Sequence, residues 1–405
     1  MDLRARLGAL SERDFRLLFS STTVSVLGDS AAGIALAFAV LDLTGSAADL
    51  GLVLAARQIM QAVLLLVGGV WADRLPRQWI LFAAALVQGG AQAATAGLLL
   101  AGKASIAQLV VLQMVYGVGG GFDMPASIGV VPQTISPARL QQANALLQLS
   151  RSAISVVGPA LGGVLVVSGS PGLALAFDAA TFFVAALLLA TIRLHGSEPR
   201  GERSGFLREL RDGWSEFRSR TWLWTTVVLF GICNFVFASY FVLGPVVAKR
   251  YLGGAGAWAT VVSCFAAGSV VGGVVALRLR PARPLLASVL ASSLLITQLA
   301  ALALRVPVAV LAGVAAIAGI GIAVHLTLWF TVFHEQVPEQ AMSRVSSYDA
   351  LGSFVLIPFG YAVAGSMSAL VGVATTLWGA AAISVACVAA MVALPSVRAL
   401  RPMRL

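Results

Sequence analysis

Apolar runs of about 20 residues or more recur along this chain, broken only by short polar gaps, and that repetition leaves few folds open. A hydrocarbon core of about 30 Å takes about 20 helical residues to cross. Inside it, backbone N–H and C=O groups must be paired within the protein, and for single apolar segments of this length only a helix does so. Twelve such segments can be marked, at about 15–41, 49–72, 79–101, 106–128, 143–168, 173–193, 222–246, 256–278, 284–304, 307–330, 350–371 and 374–395. Composition agrees: 59% of the residues are apolar and 11% charged, against roughly 45–50% and 25% in an ordinary soluble domain. A water-soluble enzyme is excluded, and an all-α membrane protein with twelve transmembrane helices is expected.

The charges lie in the gaps. Residues Met1–Arg16 mix arginines with acids and lack the basic, apolar, small-residue order of a cleaved signal peptide, so the first apolar run reads as a retained helix. With that end cytoplasmic, 22 of the 27 Lys and Arg residues fall on the cytoplasmic side. Lys103, Lys249, Arg250 and Arg305 fall outside, and Arg57 falls within a span. The formal charge of +10 is therefore positive-inside bias, and no nucleic-acid partner is needed to explain it. Cys233, Cys264 and Cys387 sit within apolar runs without C-x-x-C spacing and read as small buried hydrophobes.

The long polar stretch near the midpoint, about 195–221, carries Leu207, Leu210, Trp214 and Phe217 at helical spacing against a charged face. It reads as an amphipathic cytoplasmic linker between a bundle over 1–194 and a bundle over 222–405. The two halves repeat. Gly68-Gly69-Val70 at the end of the second span returns as Gly272-Gly273-Val274 at an offset of 204, and Asn144-Ala145-Leu146 returns as Asp349-Ala350-Leu351 at an offset of 205. Duplication of a six-helix unit, as in many secondary transporters, accounts for both.

The connection after the second span reads Gly69-Val70-Trp71-Ala72-Asp73-Arg74-Leu75-Pro76-Arg77. It resembles the G-x-x-x-D-R-x-x-R signature of the major facilitator superfamily, and the twelve spans, central linker and weaker second copy extend the resemblance over the whole chain. Within that superfamily, Phe122-Asp123-Met124-Pro125-Ala126, Gln142-Ala143-Asn144-Ala145-Leu146 and Gly158-Pro159-Ala160-Leu161-Gly162-Gly163 resemble bacterial drug and macrolide exporters and enterobactin-exporter relatives. The resemblance implies two pseudo-symmetric six-helix bundles, a bacterial cytoplasmic membrane location, a monomer and no cofactor. It also implies a latch in which Asp73 and Arg77, at i and i+4, meet Asp123 near the cytoplasmic end of the fourth span. The plainer alternative is that Arg74 and Arg77 only fix topology. Gly158-Pro159-Ala160-Leu161-Gly162-Gly163 looks like the helix-bending antiporter motif, although Ile154 stands where that motif has another glycine. Gln113 stands where the drug-exporter pattern has an arginine.

Charges deep in the bilayer cost about 2.5–3.5 kcal/mol each on insertion scales and are functional candidates by default. Asp29 lies about halfway along the first span, and Arg57 lies about 12 Å into the second. The two depths overlap, so an ion pair is geometrically allowed. It is either a static buried pair or a proton-coupling site. Asp178 reads as an anion favoured at a helix N-terminus, and Arg151 as a snorkelling side chain or a cavity residue. His325 is either a titrating group or a neutral ring satisfied by a backbone carbonyl.

A small-molecule cavity near the bilayer midplane would draw on Asn234, Phe237, Tyr240, Phe241, Trp329 and Tyr361. Aromatic residues suit an amphipathic compound better than a sugar. His195, His325 and His334 are too scattered for a metal site, and no H-E-x-x-H or G-x-S-x-G constellation is present. Gly97, Gly102 and Lys103 have P-loop spacing, but Ala104 replaces the magnesium-binding hydroxyl and no strand precedes them. The expected activity is secondary export of small amphipathic, drug-like molecules by proton antiport. A siderophore or other metabolite exporter and a proton-coupled importer are the alternatives.

Overall fold

The computed structural model describes residues 8–72, 75–193, 206–338 and 341–400. These residues are helical throughout, with no strand among them. Twelve helices or helix pairs are long and apolar enough to cross a membrane. The chain is an all-α, multi-pass membrane protein.

Residues 1–200 and 253–263 group into one compact unit. Its spans are α1 (Arg13–Thr44), α2 (Ala47–Ala72), α3 (Arg77–Leu100), α4 (Ile106–Thr134), α5 (Leu140–Ser168) and α6 (Pro171–Ala190). Helix α1 packs on α5 and α6, and α4 packs on α2 and α3. Local signals fix the starts of α4, which carries Gln113 and Tyr116, and α6, which carries Asp178. At α4 a capping box closes on Ser105: its hydroxyl accepts from the Gln108 N–H, and the Gln108 side chain accepts from the Ser105 N–H at 2.9 Å. At α6 the Ser170 hydroxyl accepts from the Leu173 N–H, and Pro171 occupies the first turn. Helix α4 runs through Pro125 and Pro132 and ends at Thr134, later than the expected boundary near 128. Asp123 is consequently eleven residues, or about 16 Å, from the end of its helix instead of near it.

Residues 201–252 and 264–405 form the second unit. It contains α7 (Phe206–Ser219), α8 (Thr221–Val247), most of α9 (Ala255–Ala276), α10 (Pro284–Ser292), α11 (Leu294–Ala303), α12 (Val308–Gln336), α13 (Met342–Phe354), α14 (Ile357–Val371) and α15 (Val373–Ala393). Helices α10 and α11 make one span broken at Ser293, and α13 and α14 make another interrupted ahead of Pro358. Proline has no N–H for the carbonyl four residues back, so a break there follows from its chemistry. The polar run Arg344, Ser346, Ser347, Tyr348 lies inside α13, which starts eight residues before the apolar run that marks this span in the sequence. Of the amphipathic stretch, α7 packs its aromatic stripe on α13: Trp214 and Phe217 stand 5.4 and 5.8 Å from the Tyr348 ring.

Candidate functional site

The polar interior of the first unit is built around Asp29. This residue lies sixteen positions into α1, and one of its oxygens, Oδ1, accepts two hydrogen bonds: from Arg57 Nη2 of α2 at 2.8 Å and from the Tyr116 hydroxyl of α4 at 2.7 Å. The Arg57 guanidinium also lies over the Tyr116 ring, 4.2 Å from its centroid, a cation–π contact that holds the cation while it pairs. Tyr116 is 1% exposed and packs edge-on against Phe182 of α6 at 5.7 Å. The second Asp29 oxygen has no protein partner among the described residues, and 41% of the side chain remains accessible.

A second carboxylate adjoins the first. Asp178 sits two turns into α6 and is fully buried. Its Oδ2 accepts from Gln92 Nε2 at 2.6 Å, and Gln92 Oε1 accepts from Gln113 Nε2 at 3.3 Å. The expectation of an anion at a helix N-terminus is thus replaced by a side-chain chain through α3 to α4. Asp178 Oδ1 and Gln113 Oε1 have no partner among the described residues. Gly28 makes the approach feasible: a Cβ there would collide with Thr181 Oγ1 and stand 2.6 Å from Asp178 Oδ1. Where the drug-exporter pattern has a fourth-span arginine, this chain therefore has a neutral Gln113, and the cation comes from α2 as Arg57.

The glycine motif of α5 packs next to this cluster. A Cβ at Gly158 would overlap Ser30, and one at Gly162 would overlap the Ala31 carbonyl, the two residues that follow Asp29. Gly163 faces Ala259, and Pro159 sits within a helix that runs unbroken to Ser168. Small residues on this face let α5 and α1 approach closely.

Of the latch residues, Asp73 and Arg74 lie outside the described residues, and nothing is described of Gly69 beyond its place in α2. Arg77, the first residue of α3, donates from Nη1 to the Gly129 carbonyl of α4 at 2.6 Å. Its guanidinium occupies the space a Cβ at Gly129 would need. No ion pair joins Arg77 to Asp123 among the described residues. Asp123 instead lines a cavity of about 80 Å³ with Arg151, Ser21, Ser25, Gln88 and Ser127.

The second unit holds a cavity of about 140 Å³ lined by three of the six expected residues, Asn234, Phe237 and Trp329, and also by His325. Tyr240, Phe241 and Tyr361 are absent from its lining. They form an aromatic cluster with Phe237, whose ring stacks on Tyr240 at 5.4 Å. His325 is buried. Its Nδ1 lies 2.9 Å from Ser288 Oγ and 3.2 Å from the Ser288 carbonyl, which can only accept; the neutral Nδ1–H form fits both. Sequence reasoning passed over the roles of Tyr116, Gln92 and Asp349, all of which the packing brings to these sites. Among the described residues no group of His, Cys, Asp and Glu is placed to hold a metal.

A sequence model of the Major Facilitator Superfamily matches residues 18–360. The chain belongs to the Major Facilitator Superfamily. Among curated relatives it is similar to the enterobactin exporter EntS of Salmonella typhi, 24% identical over 365 residues, covering 88% of this chain and 86% of that protein. It is also similar to the uncharacterized MFS-type transporter YfiS of Bacillus subtilis, 28% identical over 180 residues, covering 44% and 42%. Among solved structures, a bacterial homolog of the human lysosomal transporter Spinster, in an inward-facing and occupied conformation, superposes with a TM-score of 0.72 at 16% identity, covering 95% of this chain and 97% of that one. A bacterial homologue of the iron transporter ferroportin gives 0.70 at 16%, covering 93% and 98%. These structures share the superfamily fold. The chain is a membrane transporter and not an enzyme, as are the relatives it matches.

Proposed function

We propose that this transporter exports small amphipathic molecules across the bacterial cytoplasmic membrane in exchange for protons, with Asp29 as the proton carrier and Arg57 as the group its protonation releases. The observation that carries this reading is the asymmetry of the Asp29 carboxylate. One oxygen is held by Arg57 and Tyr116, while the other has no protein partner among the described residues and belongs to a side chain that is 41% accessible. A proton arriving on the free oxygen neutralises the acid and removes the Coulomb attraction to Arg57. The guanidinium keeps its stack on Tyr116, and a second carboxylate, Asp178, lies against Gly28 on the same helix as Asp29. Because Gly158 and Gly162 press α5 onto the turn that follows Asp29, a shift of the pair is passed directly to the α1–α5 contact.

In this reading the protein works by alternating access and acts as a monomer. Arg77, anchored on the Gly129 carbonyl of α4, latches the cytoplasmic side in the outward-open state together with Asp73, without Asp123. Both chain ends are cytoplasmic, in line with the placement of 22 of 27 basic residues. The similarity to enterobactin exporters favours a second reading for the cargo, a siderophore or related metabolite moved by the same cycle; an importer would run it in reverse.

The test is accumulation of fluorescent amphiphiles, antibiotics and catecholate siderophores in a pump-deficient host, with wild type or Asp29→Asn, with and without an uncoupler. Lower accumulation that is lost with both the variant and the uncoupler supports proton-driven export through Asp29. Export that survives Asp29→Asn refutes that carrier, and uptake in place of extrusion reverses the direction.

A further inference from the structure

We propose that the cavity of the second unit is a cation subsite: it takes a single ring-sized ammonium group of the transported molecule, with Asp349 as counter-ion and the faces of Trp329 and Phe230 as its walls. The proposal rests on the small-amphiphile reading above and narrows it to cationic substrates.

Asp349 carries the argument. It lies in the membrane-spanning segment Arg344–Val371, where a carboxylate calls for a named partner. The other part-accessible acids in the middle of spans have a cation at hand: Asp29 has Arg57 at 2.8 Å, with Tyr116 at 2.7 Å, and Asp123 shares its cavity with Arg151. Asp349 has only neutral donors at the long limit of hydrogen bonding: the Trp329 indole N–H reaches Oδ2 at 3.3 Å and the Ser353 hydroxyl reaches Oδ1 at 3.5 Å. No Lys, Arg or His of the described residues makes an ion pair with it. None of the described residues supplies the positive partner that this position calls for, and the proposal assigns that part to the transported molecule.

The cavity that Asp349 lines suits such a partner. Its donors are largely engaged: Asn234 Nδ2 bonds the Ser353 carbonyl at 2.9 Å, the Trp329 indole N–H faces Asp349, and the Ser292 hydroxyl bonds the Val289 carbonyl at 2.7 Å. An anion would meet few free N–H groups there. A cation meets one carboxylate and the rings of Trp329 and Phe230, which stand edge to face at 5.7 Å and both pack on His325. Aromatic faces around a desolvated ammonium supply about 2 kcal/mol. The size sets the group: a cavity of about 140 Å³ is close to the roughly 150 Å³ that accommodates a benzene ring. A trimethylammonium head or one amine-bearing ring fits, and the remainder of an amphiphile stays outside.

The test is equilibrium binding of benzyltrimethylammonium, which has no proton to lose, to the full-length protein in nanodiscs without any gradient. Its neutral isostere neopentylbenzene serves as the comparison. The expected result is binding of the cation at least about tenfold tighter than the isostere, lost in Asp349→Asn, retained in Asp349→Glu, and weakened several-fold in Trp329→Leu. Equal binding of cation and isostere overturns the proposal, as does undiminished cation binding in folded Asp349→Asn. Should Asp349→Asn fail to fold, the preference measured on the wild type decides. Because no transport is involved, a failed export reading leaves this measurement intact. Robust export with no cation preference refutes the subsite alone.

Discussion

Arg57 of α2 and Tyr116 of α4 converge on a single oxygen of Asp29, and they also touch one another, guanidinium on phenol ring. Three helices are thereby joined through one atom, and the two donors are mutually dependent: Tyr116 positions Arg57 as well as bonding its partner.

Tyr116→Phe separates these roles. The ring remains for Arg57 and for Phe182, and only the hydroxyl that donates to Asp29 is lost. A hydrogen bond to a charged group contributes about 1.5–3 kcal/mol. Thermal unfolding in detergent is expected to show a loss in that range, with export slowed but still gradient-dependent. Tyr116→Leu, which also removes the ring, is expected to cost more in both measurements.

The ion pair makes a second, less intuitive prediction. Taking away one member of a fully buried pair costs about 3–5 kcal/mol because the other is left uncompensated, whereas replacing both is often near neutral; with 41% of the Asp29 side chain accessible the single-variant cost is expected below that range. Arg57→Leu is expected to be destabilised, and the double variant Asp29→Leu, Arg57→Leu to recover most of the stability with no recovery of export. A double-mutant cycle on unfolding free energies gives the coupling directly. Restored transport in the double variant would remove both residues from the mechanism.

Gly28 holds the place where the two carboxylates approach. Gly28→Ala drives a methyl group into Thr181 Oγ1 and Asp178 Oδ1, and overpacking of this kind costs typically 1–3 kcal/mol. The remedy is specific: Thr181→Ala opens the required space, so Gly28→Ala with Thr181→Ala is expected to be more stable than Gly28→Ala alone. Melting temperatures of the three variants settle the order.

The charged half of this site was legible in the sequence because charge is the one residue property that apolar helices do not tolerate casually. Asp29 and Arg57 stood out by depth alone, and their distance is as short as overlapping depths allow. Gln92, Gln113 and Tyr116 carry no such mark. A neutral polar side chain costs little to place on any helix face, and only packing shows that α3, α4 and α6 turn these residues toward Asp178 and Asp29. Asp349 was hidden for a different reason. Arg344, Ser346, Ser347 and Tyr348 depress local hydropathy, so the segment reads as a loop, although it is the first part of α13. Pro125 and Pro132 likewise suggest an early end to α4, yet the helix passes through both; helix breaking by proline is a cost that tertiary packing can offset.

Arg77 and Gly129 supply the last prediction. The guanidinium bonds the Gly129 carbonyl at 2.6 Å from the space that any side chain at 129 would fill. Gly129→Ala therefore removes the Arg77 contact without touching its charge, and Arg77→Gln removes the charge while leaving room for a hydrogen bond. If Arg77 acts in the latch through this anchorage, Gly129→Ala and Arg77→Ala are expected to slow export by similar factors, and the double variant to be no slower than either. Export rates at matched membrane expression measure this. Additive losses would mean that the two residues act separately. Normal export in Gly129→Ala together with a defect in Arg77→Gln would place the role of Arg77 in its charge and not in its hold on α4.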